Sequence, residues 1–442
     1  MKRSPSHTNN LRMLSGVFVL IGFSFAHAGD WPHWRGPDRD GATQESSGWD
    51  GEKWIKADLW KGSAGEGGSA PIVVGQRVYW IGWADGRDTV QCVHADTGRS
   101  LWRQAYKSPR YGRFAIGDQR LYSGASAAPE YDPQTGLLFT LGVDGDLNAW
   151  DTQRDGQRVW GFNLYDRYGA QRRPEVAKRR KTRRDYGYTT SPLATSDAVI
   201  VEVGGKEGNL VAFDKHSGRE LWTSQNQDEA GHSGGLAPMT VEGVPCVAVL
   251  TLRNLVVTRI DPQQAGRTVA VFPWTTDFAN NIPTPAVKGD SVIVTTSYNH
   301  AAMCRVKISL GGATKVWETL KMQSGVCSPV IHDGRIYWSW RGVHCVDFET
   351  GEELWSGGRF GTPGSCIVTR DDRLIVYADK GTLALIETAK RSPAKYTQLA
   401  SESVFSRTDA WPHVVAANGR LICRDRSGEV RCLATSAALA GE

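Results

Sequence analysis

The chain has 442 residues, 52 Lys and Arg against 47 Asp and Glu for a formal charge of +5, and 40 % hydrophobic residues. That balance supplies a large core and excludes a disordered or polycationic chain, so no nucleic-acid partner is expected. The 49 Gly and 17 Trp, spaced along the chain, point to an internal repeat.

Lys2, Arg3 and Arg12 precede or enter an apolar run from Leu14 to Phe25, and Ala26-His27-Ala28 follows. This is the layout of a signal peptide over residues 1–28, cleaved after Ala28. The run is shorter than the roughly 20 residues of a membrane span, and no cysteine follows it to carry a lipid. No later stretch is apolar enough to cross a bilayer, so the expectation is a periplasmic or secreted chain without a transmembrane segment. Removing the leader leaves 49 basic residues against 47 acidic ones.

Residues 29–58 read as a lead-in, 59–435 as the repeat region and 436–442 as a tail. Thr97-Gly98 to Trp102, Asp155-Gly156 to Trp160, Ser217-Gly218 to Trp222 and Thr350-Gly351 to Trp355 each place Trp four residues after Gly. The glycine suits a turn with positive φ, and the tryptophan ends a strand that packs its indole on a neighbouring layer. A second motif precedes these: a small residue and Pro, an apolar run, a polar turn, and another apolar run. It starts at Pro71, Pro192, Pro285 and Pro329, with weaker copies near Pro129, Pro238, Ser365 and Pro412. The later copies recur at roughly 36–47 residues, the length of a four-stranded propeller blade.

Eight units predict an all-β fold, an eight-bladed β-propeller of four-stranded antiparallel blades. The eighth unit lacks an outer strand, and the strand around Trp60 has no blade before it. Pairing them closes the ring and removes two free edges. Trp60, Trp102, Trp160, Trp222, Trp317 and Trp355 are the expected docking residues between blades.

Arg167 to Arg184 holds nine basic residues and one acid, Glu175. Arg172, Arg173, Lys178, Arg179, Arg180, Lys181, Arg183 and Arg184 lie between an outer strand and the next inner strand. Lys107, Arg110 and Arg113 occupy the preceding connection. Together they are candidates for binding a protein or an anionic polymer. Trp80, Trp83, Trp338 and Trp340 offer faces for sugar rings, against the plainer role of packing between blades. Asp144-Gly145-Asp146 lacks the remaining positions of a calcium loop and reads as a hairpin turn. No set of residues has metal-site spacing, and no nucleophile motif appears, so no metal or catalytic residue is assigned. Cys423 and Cys432 flank Ser427-Gly428. A two-residue turn there sets them opposite each other, as a candidate cross-strand disulfide or as two buried thiols.

The repeat and its tryptophans resemble the PQQ-binding-like, quinoprotein-type propeller family, and Trp31-Pro32-His33-Trp34-Arg35-Gly36-Pro37-Asp38 resembles the opening of its BamB-like exported bacterial members. The resemblance covers about residues 59–433 and implies three functions. The preferred one is a non-catalytic binding or scaffold module acting through the loops of one face. The second is a PQQ-dependent alcohol or sugar dehydrogenase, for which PQQ and calcium are the implied cofactors. Asp277, Asn280 and Asn281 are then its candidate oxygen donors, whereas the adjacent cysteine pair and fused-haem motif of such enzymes are missing. The third is a carbohydrate-binding propeller.

Overall fold

The computed structural model describes residues 1, 29–176, 184–276, 278, 280–298 and 300–440. The leader and the segment containing Lys178, Arg179, Arg180, Lys181 and Arg183 lie outside the described residues, as does Asp277.

The described residues form eight four-stranded antiparallel sheets, seven of them running in sequence order from the axis outward. Blades 1 to 7 span 72–107, 130–163, 193–223, 237–273, 286–320, 330–357 and 364–403. Blade 8 takes Val415–Ala417, Arg420–Arg424 and Glu429–Ala434 from the end of the chain and Ala57–Ser63 from its beginning. Trp60 stands opposite Cys432 in that last pairing, so the ring closes as the unmatched ends require.

The Ser-Pro motif has a physical reason. Proline fixes the approach to each inner strand, and the serine hydroxyl laces that strand to the next blade. Ser191 Oγ accepts from the Ala128 N–H at 2.9 Å and donates to the Gly234 carbonyl at 2.8 Å. Ser328 Oγ accepts from the Thr284 N–H and Ser365 Oγ from the Val414 N–H. The outer glycines serve the tryptophans. A Cβ on Gly98, Gly156, Gly218 or Gly351 would fall within 3.0 Å of the ring of Trp60, Trp102, Trp160 or Trp317, the tryptophan of the preceding blade. Trp60, Trp160 and Trp317 also donate their indole N–H to a backbone carbonyl of that neighbour. Trp355 packs edge-on against Tyr396, and Trp222 is half-buried against blade 4.

Two expectations change. Arg424 pairs with Val430 and Cys423 with Arg431, so Cys423 and Cys432 fall on opposite faces of the blade. The cause is the turn: the Asp425 carboxylate accepts from Ser427 Oγ and from the Gly428 and Glu429 N–H groups. With Gly428 at φ 99°, the loop holds three residues instead of two and moves the register by one. Both cysteines are buried free thiols. Trp80 and Trp338 are buried in the seams between blades, so they present no face to a sugar.

Candidate functional site

The lead-in seals one mouth of the central channel. Trp31 exchanges backbone hydrogen bonds with Val73 in blade 1, and Pro32 accepts from Tyr131 in blade 2. Arg39 bonds Glu130, Thr43 N–H donates to Val368 in blade 7, and Ser47 binds Asp371. Buried Arg35 donates to the carbonyls of Asp40 and Pro329. These contacts gather on the side of the turns between first and second strands. From there Trp34 enters the channel. Its indole donates to Thr284 Oγ1 at 2.9 Å and packs 4.3 Å from the His413 ring. A Cβ on Gly234 or Gly235 would meet that indole at 2.7 or 2.3 Å, so glycine is required at both positions.

Above Trp34 lies a cavity with about 760 Å³ of atom-free space, solvent at its mouth included. Seven of the eight outer-to-inner connections reach it; the one before blade 7 does not. Its aromatic wall is Tyr122, Tyr186, Tyr298 and Trp411 over the Trp34 floor. Tyr122 lies 4.9 Å from Trp411 and 5.3 Å from Tyr186. Two of the connections are knitted together by reciprocal backbone bonds between Ile116 and Asp185.

The polar wall carries little net charge. Asp118 is bound by the Arg184 guanidinium and the Tyr186 hydroxyl. Burial, with Asp118 beside it, holds the Tyr186 phenol well above the usual range. Burial and then Arg35 push His413 down to about 3, leaving a neutral imidazole. Asn280 is nine-tenths buried, and its Oδ1 has no hydrogen-bond partner among the described residues.

Residues 143–308 match the family model of the outer membrane protein assembly factor BamB. Over that stretch the chain resembles the BamB-like, PQQ-like propeller family. BamB from Moraxella catarrhalis aligns over 86 % of this chain and 99 % of its own, with 13 % identity and a TM-score of 0.56. A quinohemoprotein alcohol dehydrogenase, ADHIIG from Pseudomonas putida HK5, covers 92 % and 80 %, at 11 % identity and 0.62. The C-terminal WD40 domain of Sif2 covers 86 % and 98 %, at 10 % and 0.52. At such identities the likeness is one of fold alone. No curated protein sequence matches the chain.

Within this propeller the basic residues divide sharply. Arg110 forms a two-pronged pair with Glu66 at 2.9 Å. Arg113 is held by Asp144 at 2.8 Å and by Asp166. Arg173 is buried, donating to Asp185 Oδ1 at 2.8 Å and to the carbonyls of Ala230 and Gly231. Arg184 is committed to Asp118. Lys107 and Arg172 are exposed, Arg172 lying 5.7 Å from the Phe114 ring.

The cavity can be tested for PQQ and calcium by its donors. Flat rings suit a planar quinone, but three cofactor carboxylates need cations, and the nearest are already paired: Arg184 with Asp118, Arg426 with Asp409. Asn280 lines the cavity. Asn281 instead donates to the carbonyls of Thr251 and Trp274. Among the described residues no three His, Cys, Asp or Glu side chains are grouped to hold a metal ion. The described residues therefore do not fit the cofactor. The sequence reading had named one cavity residue, Asn280. Trp34, Asp118, Tyr122, Tyr186, His232, Trp411 and His413 escaped it because each connection contributes only one to three side chains. The available signal was an aromatic or polar residue shortly before each inner-strand proline.

Proposed function

We propose that this chain is an exported, non-catalytic binding propeller that works through the loops of its cavity face. The observation that carries this reading is the convergence of seven connections on one aromatic cavity whose opposite mouth is closed by residues 29–47. A propeller built this way presents one face to a ligand or partner. Export rests on the leader sequence, and no helix among the described residues is long and apolar enough to cross a membrane. The family description as an assembly factor supports a binding role. Lys107 and Arg172, exposed on that side, are the contacts for a protein or an anionic polymer.

The competing reading is a PQQ-dependent dehydrogenase, and one titration separates the two. The purified chain is titrated with PQQ and calcium by calorimetry and tryptophan fluorescence. No saturable binding is expected. Binding near one per chain would restore the dehydrogenase and direct mutagenesis to Asp277, Asn280 and Asn281.

A further inference from the structure

The cavity's chemistry narrows what it accepts, an inference that rests on reading this face as a binding site. A cation is disfavoured although aromatic rings surround the space. Arg426 already lies 4.8 Å from the Tyr122 ring, Arg184 sits on the only carboxylate among the described lining residues, and buried Arg35 acts electrostatically on His413. An anion is disfavoured too, because those arginines are committed to Asp118, Asp409 and backbone carbonyls and none lines the space. What remains is flat apolar surface interrupted by neutral hydrogen-bonding groups. Asn280 Oδ1 is a buried acceptor with no partner among the described residues. The Ser126 and Ser328 side chains and the His413 imidazole supply further positions. A buried acceptor left unpaired is costly, and a ligand hydroxyl can satisfy it.

We propose that this cavity receives a neutral pyranose ring, the end unit of a saccharide, with one C–H face on Trp411 and Tyr122 and its hydroxyls on Asn280 and the serines. A sugar ring is the common ligand that combines apolar C–H faces with a rim of uncharged donors and acceptors. The Trp34 floor stops further entry, so a single ring enters and any remaining chain leaves across the loop face. Trp34 comes from the lead-in, and the site therefore depends on the segment that seals the channel.

The test uses the full mature chain and a panel of neutral methyl pyranosides, with glucuronate, choline and PQQ plus calcium as charged probes. Calorimetry and tryptophan fluorescence are followed to about 10 mM ligand. At least one neutral pyranoside is expected to saturate near one per chain and to bind about tenfold or more tighter than glucuronate. Trp411→Ala and Asn280→Leu are expected to weaken it about tenfold or more. The Asn280→Leu melting temperature is expected to stay within a few degrees of the parent, and this variant keeps the test valid if Trp411→Ala fails to fold. Absence of saccharide binding overturns the proposal. So does tighter binding of a charged probe, or neutral binding that survives Asn280→Leu. If saccharides fail and PQQ with calcium also fails, only the ligand class falls. If saccharides fail and PQQ with calcium binds, the non-catalytic reading falls with it.

Discussion

Asp88 sits at the seam of blades 1 and 2 with no exposed surface. Its Oδ2 accepts from the Tyr106 hydroxyl at 3.2 Å, and its Oδ1 has no partner among the described residues. Burial, with Asp146 and Asp144 nearby, raises its carboxyl to about 7 from the ordinary 3.8. The folded chain thus keeps a proton that the unfolded chain releases. The resulting stability is complete below pH 4 and is lost as pH rises through 7, about 2–4 kcal/mol in all. Asp88→Asn keeps the neutral shape and removes the titration. Denaturant unfolding is expected to show the variant gaining on the parent between pH 5 and 8; parallel curves would mean that Asp88 ionises freely. Arg172 and Arg173 show how far neighbours can diverge: one is solvated, and the other is sealed against Asp185. Charge runs identify neither, because burial is decided by what folds over them.

At the scale of the element, four outer strands dock through a tryptophan on the next blade's glycine. Gly218 adopts φ 67°, and a Cβ there would lie 2.8 Å from the Trp160 ring. Gly243 adopts φ 82° with nothing within 4 Å. Both alanine substitutions incur the left-handed backbone cost, about 1 kcal/mol. Gly218→Ala also pushes the docked indole aside and is expected to lose a further 1–3 kcal/mol or so. Equal losses in thermal melts would show that docking contributes little. The motif was legible where both partners were present. Blades 4 and 7, with outer strands Thr268–Pro273 and Gln398–Ser403, carry no tryptophan, and there only the inner-strand pattern marked the unit.

For the whole molecule, the first strand is a long-range clasp. Ala57–Ser63 covers the edge left by Glu429–Ala434. Arg424, buried in the same seam, donates to the carbonyls of Ser69, Ile81 and Gly65. Deleting residues 29–64 is expected to unfold or oligomerise the entire ring instead of trimming a tail, since it uncovers the edge of Glu429–Ala434 and removes the cavity floor. Size-exclusion and melting measurements check this; an unchanged monomer with unchanged melting would refute closure. A chain truncated only at 442 and 441 provides the control.

The repeat period, the small-residue prolines and the Gly-to-Trp spacing determined the fold by themselves, including blade number and ring closure. Each reports on local backbone geometry and on one neighbour. The cavity is a different kind of object. Its residues come from seven connections, from the turn carrying Tyr298 and from a lead-in threaded across the far face, so no stretch of sequence contains the site. The same is true of its charge state, because ion pairs such as Arg184 with Asp118 span 66 positions. Which arginines face solvent, which cysteines share a face and which tryptophans line the cavity were decided by register and by packing in three dimensions.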